Sequence, residues 1–157
     1  LAKEAGSKIS LDLASYNVVE ANLEFLQEMV SKYVDIVFAN EEEAKAYTGQ
    51  EPEPALHSIA GKTNISIVKV GSKGSYVKSE GKLFVVEPIR AEVQDTTGAG
   101  DAYAAGFLFG ISSGYNYQES GFLGSLLASN TIEAIGARIK DHQWDGIRRK
   151  ISSLRKV

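Results

Sequence analysis

The first part of the chain alternates between strand-like and helical spacing of its apolar residues. Residues 9–13 alternate apolar and polar positions as a strand does, and residues 17–33 then carry apolar side chains at helical spacing. Residues 34–39 form a short apolar run that is typical of a buried strand, and a second helical pattern runs from residue 41 to about residue 47. This succession predicts a repeated βα unit.

The pattern continues beyond a linker-like stretch of proline and glutamate at residues 51–54. A short helix at 55–61 and a buried strand at 65–70 follow, and Glu80-Gly81 separates two short strands as a hairpin turn does. Three helical patterns come last, at 98–112, 117–135 and 142–154. Strands that alternate with helices predict a single α/β domain with a parallel, doubly wound sheet. We expect its first strand, residues 9–13, to be internal to that sheet.

Composition narrows the class of protein. The chain has 157 residues, of which 43% are hydrophobic and 24% charged, as expected for one globular domain. Its net charge of -3 gives no basic surface for nucleic acid. Because no cysteine is present, disulfides and thiolate metal sites are excluded. No apolar stretch approaches the roughly 20 residues of a membrane span, so we expect a cytoplasmic protein that does not associate with membranes.

The most informative stretch is Asp95-Thr96-Thr97-Gly98-Ala99-Gly100-Asp101, at the start of a helical pattern. Gly98 and Gly100 allow the backbone to turn successive N–H groups toward one point, and the helix that follows adds its positive N-terminal end. The sequence therefore predicts an anion site. Asp101, the first acid of that helix, would lie beside the anion as a metal contact or a general base.

This stretch has two other interpretations. It is also compatible with a loop that only caps a helix, with Asp101 favourably placed in the first turn. A dinucleotide-binding loop is excluded, because Tyr103 stands where the third glycine of G-x-G-x-x-G is required.

The longer stretch DTTGAGDAYAAGF, residues 95–107, resembles the C-terminal signature of the ribokinase-like (PfkB) family of sugar and nucleoside kinases. The resemblance implies a three-layer α/β/α fold and ATP-dependent transfer of the γ-phosphoryl group to a hydroxyl of a sugar or nucleoside, including adenosine-kinase-like acceptors. It also implies that the amides of Gly98, Ala99 and Gly100 form an anion hole and that Asp101 takes the proton from the substrate hydroxyl. Asp95 would belong to a loop that holds a monovalent cation such as K⁺.

Asn40 and Glu43 follow a predicted strand and begin a helix. The resemblance assigns them to an Asn-x-x-Glu motif in which Glu43 acts on Mg²⁺ through its water shell and Asn40 belongs to the nucleotide site. Mg²⁺ keeps most of its water in such sites, so an indirect carboxylate contact is chemically reasonable. The same spacing is also that of a capping box, which needs no metal.

Three further positions are assigned to the nucleotide by the resemblance. Gly71 and Gly74, after the strand at 65–70, correspond to a segment that lies along the phosphates. Lys69 stands where the family commonly has threonine, and it either offers its charge to phosphate or is solvated at a strand end. Asn130 is the candidate contact for the adenine base, although it is equally compatible with the exposed side of a helix.

Members of the family are considerably longer than this chain, with the signature close to the C-terminus. We therefore expect residues 1–157 to be the C-terminal nucleotide-binding and catalytic part of a kinase, without the N-terminal substrate and lid part and inactive by itself. A homodimer is expected of the full-length protein. The alternative is a non-catalytic nucleotide-binding or assembly module derived from the same fold.

Overall fold

A computed structural model describes residues 1–154 of the chain. Within these residues the strands form one five-stranded sheet in the order β1-β2-β3-β4-β5. The strands are β1 (Ser10–Asp12), β2 (Ile36–Asn40), β3 (Ile65–Lys69), β4 (Ser75–Ser79) and β5 (Lys82–Val86). β1, β2 and β3 are parallel, as predicted, whereas β4 pairs antiparallel with β3. The carboxyl ends of the three parallel strands therefore meet at one edge of the sheet.

The chain divides into two compact units, Leu1–Val85 and the residues from Val86 onward. The first unit contains the helices α1 (Tyr16–Ala21), α2 (Leu23–Tyr33), α3 (Glu41–Thr48) and α4 (Pro52–Ala60). The second contains α5 (Ala99–Ser112), α6 (Tyr117–Ile132) and α7 (Trp144–Leu154). Every helix within residues 1–154 is too short or too polar to span a membrane.

The position of β1 differs from the prediction. β2 and β3 each contain four consecutive buried residues, as parallel strands inside a sheet do, but β1 lies at the edge of the sheet and none of its residues is fully buried. The expectation of an internal first strand is therefore wrong for this sheet. Its alternating pattern of Ile9, Leu11 and Leu13 supplies one apolar face, which suits an edge position.

Several helix boundaries differ from the prediction, and two of the differences have a local cause. The helix expected over residues 17–33 is divided at Asn22, whose side-chain amide donates to the carbonyl of Val18 at 2.9 Å. An asparagine that hydrogen-bonds to its own backbone in this way competes with helix continuation. α4 begins at Pro52, inside the stretch interpreted as a linker, because proline at the first helical position loses no intrahelical hydrogen bond.

In the second unit the backbones of α5 and α6 approach so closely that two positions have no room for a side chain. A Cβ atom on Gly106 would lie 2.4 Å from the carbonyl oxygen of Leu123, and one on Gly124 would lie 2.8 Å from the carbonyl oxygen of Tyr103. Only glycine fits this approach. The contact fixes the distance of α5 from α6, and α5 begins within the predicted anion loop.

Candidate active site

The end of β2 fixes the carboxylate of Glu43 at the carboxyl edge of the sheet. Asn40 caps α3: its side-chain oxygen accepts from the Glu43 amide at 2.8 Å. The Asn40 backbone amide and side-chain amide donate to the two carboxylate oxygens of Glu43, at 2.8 and 2.7 Å. Glu43 is only 4% exposed, and this burial raises the pKa of its carboxyl group. The capping box is therefore formed, and it holds a buried acid rigidly.

The carboxylate of Glu43 is the acid that Asn40 fixes at this edge. Within residues 1–154 no three His, Cys, Asp or Glu side chains converge to hold a metal ion. Mg²⁺ is commonly held by one or two carboxylates together with water and substrate phosphates, so a single fixed acid such as Glu43 is compatible with it.

Lys69, the last residue of β3, forms an ion pair with Asp12, the last residue of β1. Lys69 Nζ lies 3.0 Å from Asp12 Oδ2, and the side chains are 16% and 30% exposed. Lys69 is thus neither fully solvated nor unpaired. The sequence analysis predicted either a contact with phosphate or solvation at the strand end, and neither interpretation includes this ion pair. Asp12 was missed by the sequence analysis, and the available signal was its position at the carboxyl end of a predicted strand.

The turn from β3 to β4 contains the two glycines predicted to lie along phosphates. Residues Gly71–Lys73 form one turn of 3₁₀ helix, and Gly71 and Gly74 have φ angles of 54° and 92°. The Val70 amide donates to the Gly74 carbonyl at 2.9 Å, which closes the turn. These residues are therefore held at the same edge as Lys69, in a conformation that glycine adopts readily.

In the second unit the predicted anion loop leads directly into α5. Gly98 is the N-terminal cap, with φ of 77°, and Ala99 is the first helical residue. A Cβ atom on Gly98 would lie 2.4 Å from the Ala137 Cβ, so both backbone angle and space require glycine. The Ala99 amide donates to the Thr96 carbonyl at 3.1 Å. Gly100 and Asp101 follow in the first turn, where amides lack intrahelical acceptors.

The predicted general base, Asp101, follows directly on the predicted anion loop. It is the acid of the first turn of α5, and its side chain is exposed. A carboxylate in this position is accessible to a substrate hydroxyl and lies beside the positive end of the helix dipole. The placement is compatible with a general base and also with a simple helix-terminus charge.

Asp95 joins the anion loop to the segment after α6. One carboxylate oxygen accepts from the Thr97 amide and hydroxyl at 2.9 and 2.7 Å, and the other accepts from the Gly136 amide at 2.8 Å. The Thr97 hydroxyl, followed by the Gly136 and Thr97 amides, holds the pKa of Asp95 below its ordinary value. Gly136 is thus a partner of the loop that the sequence analysis did not identify.

Asn130, the predicted contact for the base, is half-buried on α6. Its side-chain amide nitrogen donates to the Leu126 carbonyl of its own helix at 2.8 Å, and its backbone carbonyl accepts from Gln143 Nε2 at 3.4 Å. One N–H of the side-chain amide is therefore used within the protein, and its second N–H and the side-chain oxygen are the groups left to recognise a ligand.

Two sets of predicted residues are brought together, one within each unit. At the sheet edge of the first unit lie Asn40, Glu43, Lys69, Gly71 and Gly74, joined by Asp12. In the second unit Asp95 and the segment from Gly98 to Asp101 form one hydrogen-bonded loop and helix start. The roles assigned to these residues remain predictions.

Known proteins resemble this chain over most of its length. A sugar kinase from Archaeoglobus fulgidus, itself uncharacterised, is 37% identical over 112 residues, which are 71% of this chain and 45% of that protein. A probable sugar kinase from Rhizobium etli has a similar structure, with a TM-score of 0.89 and 32% identity over 95% of this chain and 46% of that one. The nucleoside kinase of Methanocaldococcus jannaschii, an archaeal member of the ribokinase family, has a TM-score of 0.70 and 27% identity over 94% of this chain and 48% of its own.

These likenesses confirm the predicted fold class, the three-layer α/β/α ribokinase-like fold. The chain spans about half the length of the relatives it matches. Residues 2–144 match the pfkB family of carbohydrate kinases. Since that match covers nearly the whole sequence, the chain belongs to the pfkB family of carbohydrate kinases.

Proposed function

We propose that residues 1–157 supply the nucleotide-binding and catalytic part of an ATP-dependent kinase that phosphorylates a hydroxyl of a sugar or nucleoside. Membership of the pfkB family and relatives that are sugar and nucleoside kinases support this proposal. The observation that carries it is the loop of residues 95–101, in which a left-handed glycine cap leads into a helix whose first acid, Asp101, is exposed.

Phosphoryl transfer requires in-line positioning, charge neutralisation and a base, and little covalent participation by the protein. Asp101 accepts the proton of the acceptor hydroxyl while the oxygen of that hydroxyl forms a bond to the γ-phosphorus. The bond from that phosphorus to the β–γ bridging oxygen breaks, and ADP leaves with the electron pair. The amides of Gly98, Ala99 and Gly100 stabilise the charge on the transferring group, aided by the positive end of α5. For this role the Ala99 amide exchanges its present acceptor, the Thr96 carbonyl, for the phosphoryl group.

The remaining predicted residues bind the nucleotide and its counter-ions. Mg²⁺, when bound, neutralises phosphate charge, and the fixed carboxylate of Glu43 orients its water shell. Asn40 holds that carboxylate in place. Gly71 and Gly74 shape the turn assigned to the phosphates. The other assignments are Asn130 at the base and Asp95 in the loop for a monovalent cation such as K⁺. Lys69 lies at the same sheet edge as Glu43, where it is paired with Asp12.

The decisive experiment is the Asp101→Asn substitution in the full-length protein. Asparagine keeps the size of the side chain and removes the proton acceptor, so kcat should fall on the order of 10²-fold or more while ATP affinity is largely retained. Asp145→Asn is a matched control, because Asp145 is also an exposed acid in the first turn of a helix. It should leave kcat unchanged and alter stability by about 0.3 to 1 kcal/mol.

The same assay distinguishes the proposal from its alternative. ADP formation is measured against a panel of sugars and nucleosides, together with the melting temperature of each variant. A kcat for Asp101→Asn close to that of the wild type would show that Asp101 is only a helix-terminus charge. ATP binding without turnover on any acceptor would instead support a non-catalytic nucleotide-binding module.

A further inference from the structure

The ion pair of Asp12 and Lys69 connects strands that are not neighbours in the sheet. β2 lies between β1 and β3, so the two side chains meet across the carboxyl end of β2, which terminates at Asn40. Asn40 is in register with Lys69 and caps the helix that carries Glu43. The pair therefore places one positive and one negative charge beside the candidate contact for Mg²⁺.

Asp12 is held in place independently of Lys69. Its Oδ1 atom accepts from the Ala14 amide at 2.9 Å, while Oδ2 faces Lys69. Ala14 has φ of 67°, a conformation that is uncommon for alanine and that this hydrogen bond helps to maintain. The carboxylate is thus a fixed acceptor, and it determines where the flexible lysine places its charge.

We propose that Lys69 is a positioning residue that neutralises Asp12, so that the Asp12 carboxylate does not compete with Glu43 for hydrated Mg²⁺. This inference rests on the proposed kinase function. Both charges lie beside the buried acid, because Asn40, which is in register with Lys69, donates to both carboxylate oxygens of Glu43. The net charge of the three side chains sets how strongly the edge attracts a divalent cation.

Net charge gives an ordered expectation for four proteins. With Glu43 ionised, the three groups carry -1 in the wild type, -2 in Lys69→Met, 0 in Asp12→Asn and -1 in the double variant. Lys69→Met should lower the Mg²⁺ concentration at half-saturation on the order of three- to tenfold, because a nearby unit charge in partly screened surroundings has an effect of this size. Asp12→Asn should raise that concentration, and the double variant should return close to the wild type.

The experiment measures binding of a non-hydrolysable ATP analogue to the full-length protein as a function of Mg²⁺ concentration, so it does not depend on turnover. Lys32→Met is the matched control, because Lys32 forms a 2.7 Å ion pair with Glu28 within α2 and both side chains are exposed. Its Mg²⁺ midpoint should equal that of the wild type. Melting temperatures show which variants are folded, and Asp12→Asn provides an independent arm if Lys69→Met does not fold.

The outcomes separate this inference from the proposed function. Midpoints that follow the order of net charge support the inference. Equal midpoints in all variants would overturn it while leaving the kinase proposal intact. Weaker analogue binding by Lys69→Met at saturating Mg²⁺, with an unchanged midpoint, would also overturn it by showing that Lys69 contacts phosphate. If Mg²⁺ had no effect on analogue binding by the wild type, both proposals would be refuted.

Discussion

Replacing Gly106 by alanine tests whether the close contact of α5 with α6 positions Asp101. The new Cβ would lie 2.4 Å from the Leu123 carbonyl oxygen and 2.9 Å from the Gly124 Cα, both backbone atoms. No side chain can rotate away, so the helices must separate by about 1 Å to reach an ordinary contact. Such overpacking costs about 1–3 kcal/mol, and the better helix propensity of alanine offsets up to about 1 kcal/mol. We expect a net loss of about 1–2 kcal/mol in the free energy of unfolding.

Urea unfolding and steady-state kinetics of the full-length protein measure this effect. Gly146→Ala is the control, since a Cβ on Gly146 in α7 would have nothing within 4 Å. It should be stabilising by about 0.5–1 kcal/mol with unchanged kcat. In Gly106→Ala a displaced Asp101 should lower kcat on the order of 10- to 100-fold, the scale for a misplacement of about 1 Å. Wild-type stability and turnover in that variant would refute the role assigned to the helix contact.

Three further perturbations have directions fixed by hydrogen bonds. Glu43→Gln leaves one of the two Asn40 donors without an acceptor, so the free energy of unfolding should fall by about 1 kcal/mol. The Mg²⁺ midpoint should rise, and an unchanged midpoint would restrict Glu43 to capping. The lowered pKa of Asp95 supplies stability above its ordinary value of 3.8 that is lost as pH falls through the folded-state pKa. The stability difference from Asp95→Asn should therefore be constant above about pH 5 and shrink below it, and a difference that stays constant in acid would contradict this. Asn116→Ala removes the cap of α6 and should lower stability by about 1 kcal/mol without changing kcat, whereas unaltered stability would contradict the capping role.

Elements with a local chemical cause could be predicted from the sequence. The apolar runs at 34–39 and 65–70 gave β2 and β3 to within two residues, because strands buried on both faces need continuous apolar residues. Glu80-Gly81 was identified as a hairpin turn, and the φ angles of 51° and 75° are those of the tight turn that such a pair forms. The start of α5 at Gly98 could be predicted in the same way, because glycine adopts the positive φ angle of 77° that this cap requires.

Contacts between distant residues could not be predicted, because periodicity carries no information on strand order. Asp12 and Lys69 are 57 positions apart and meet only because β1 and β3 flank the same strand. Asp95 and Gly136 are 41 positions apart, and their hydrogen bond depends on how the chain returns after α6. The edge position of β1 was missed for the same reason, since an alternating strand is compatible with either place in a sheet.

The capping and magnesium roles of Glu43 are compatible with each other. An ionised carboxylate has about four lone-pair sites, and the two Asn40 donors use two of them, which leaves acceptors for the water shell of an ion. The hydrogen bonds that cap α3 also immobilise the carboxylate, which lowers the entropy lost when a hydrated ion is held in one position. A stability measurement therefore detects the capping role whether or not the metal role exists. The two roles are separated by measuring the Mg²⁺ concentration at half-saturation in a series of variants, because the capping hydrogen bonds form without the ion.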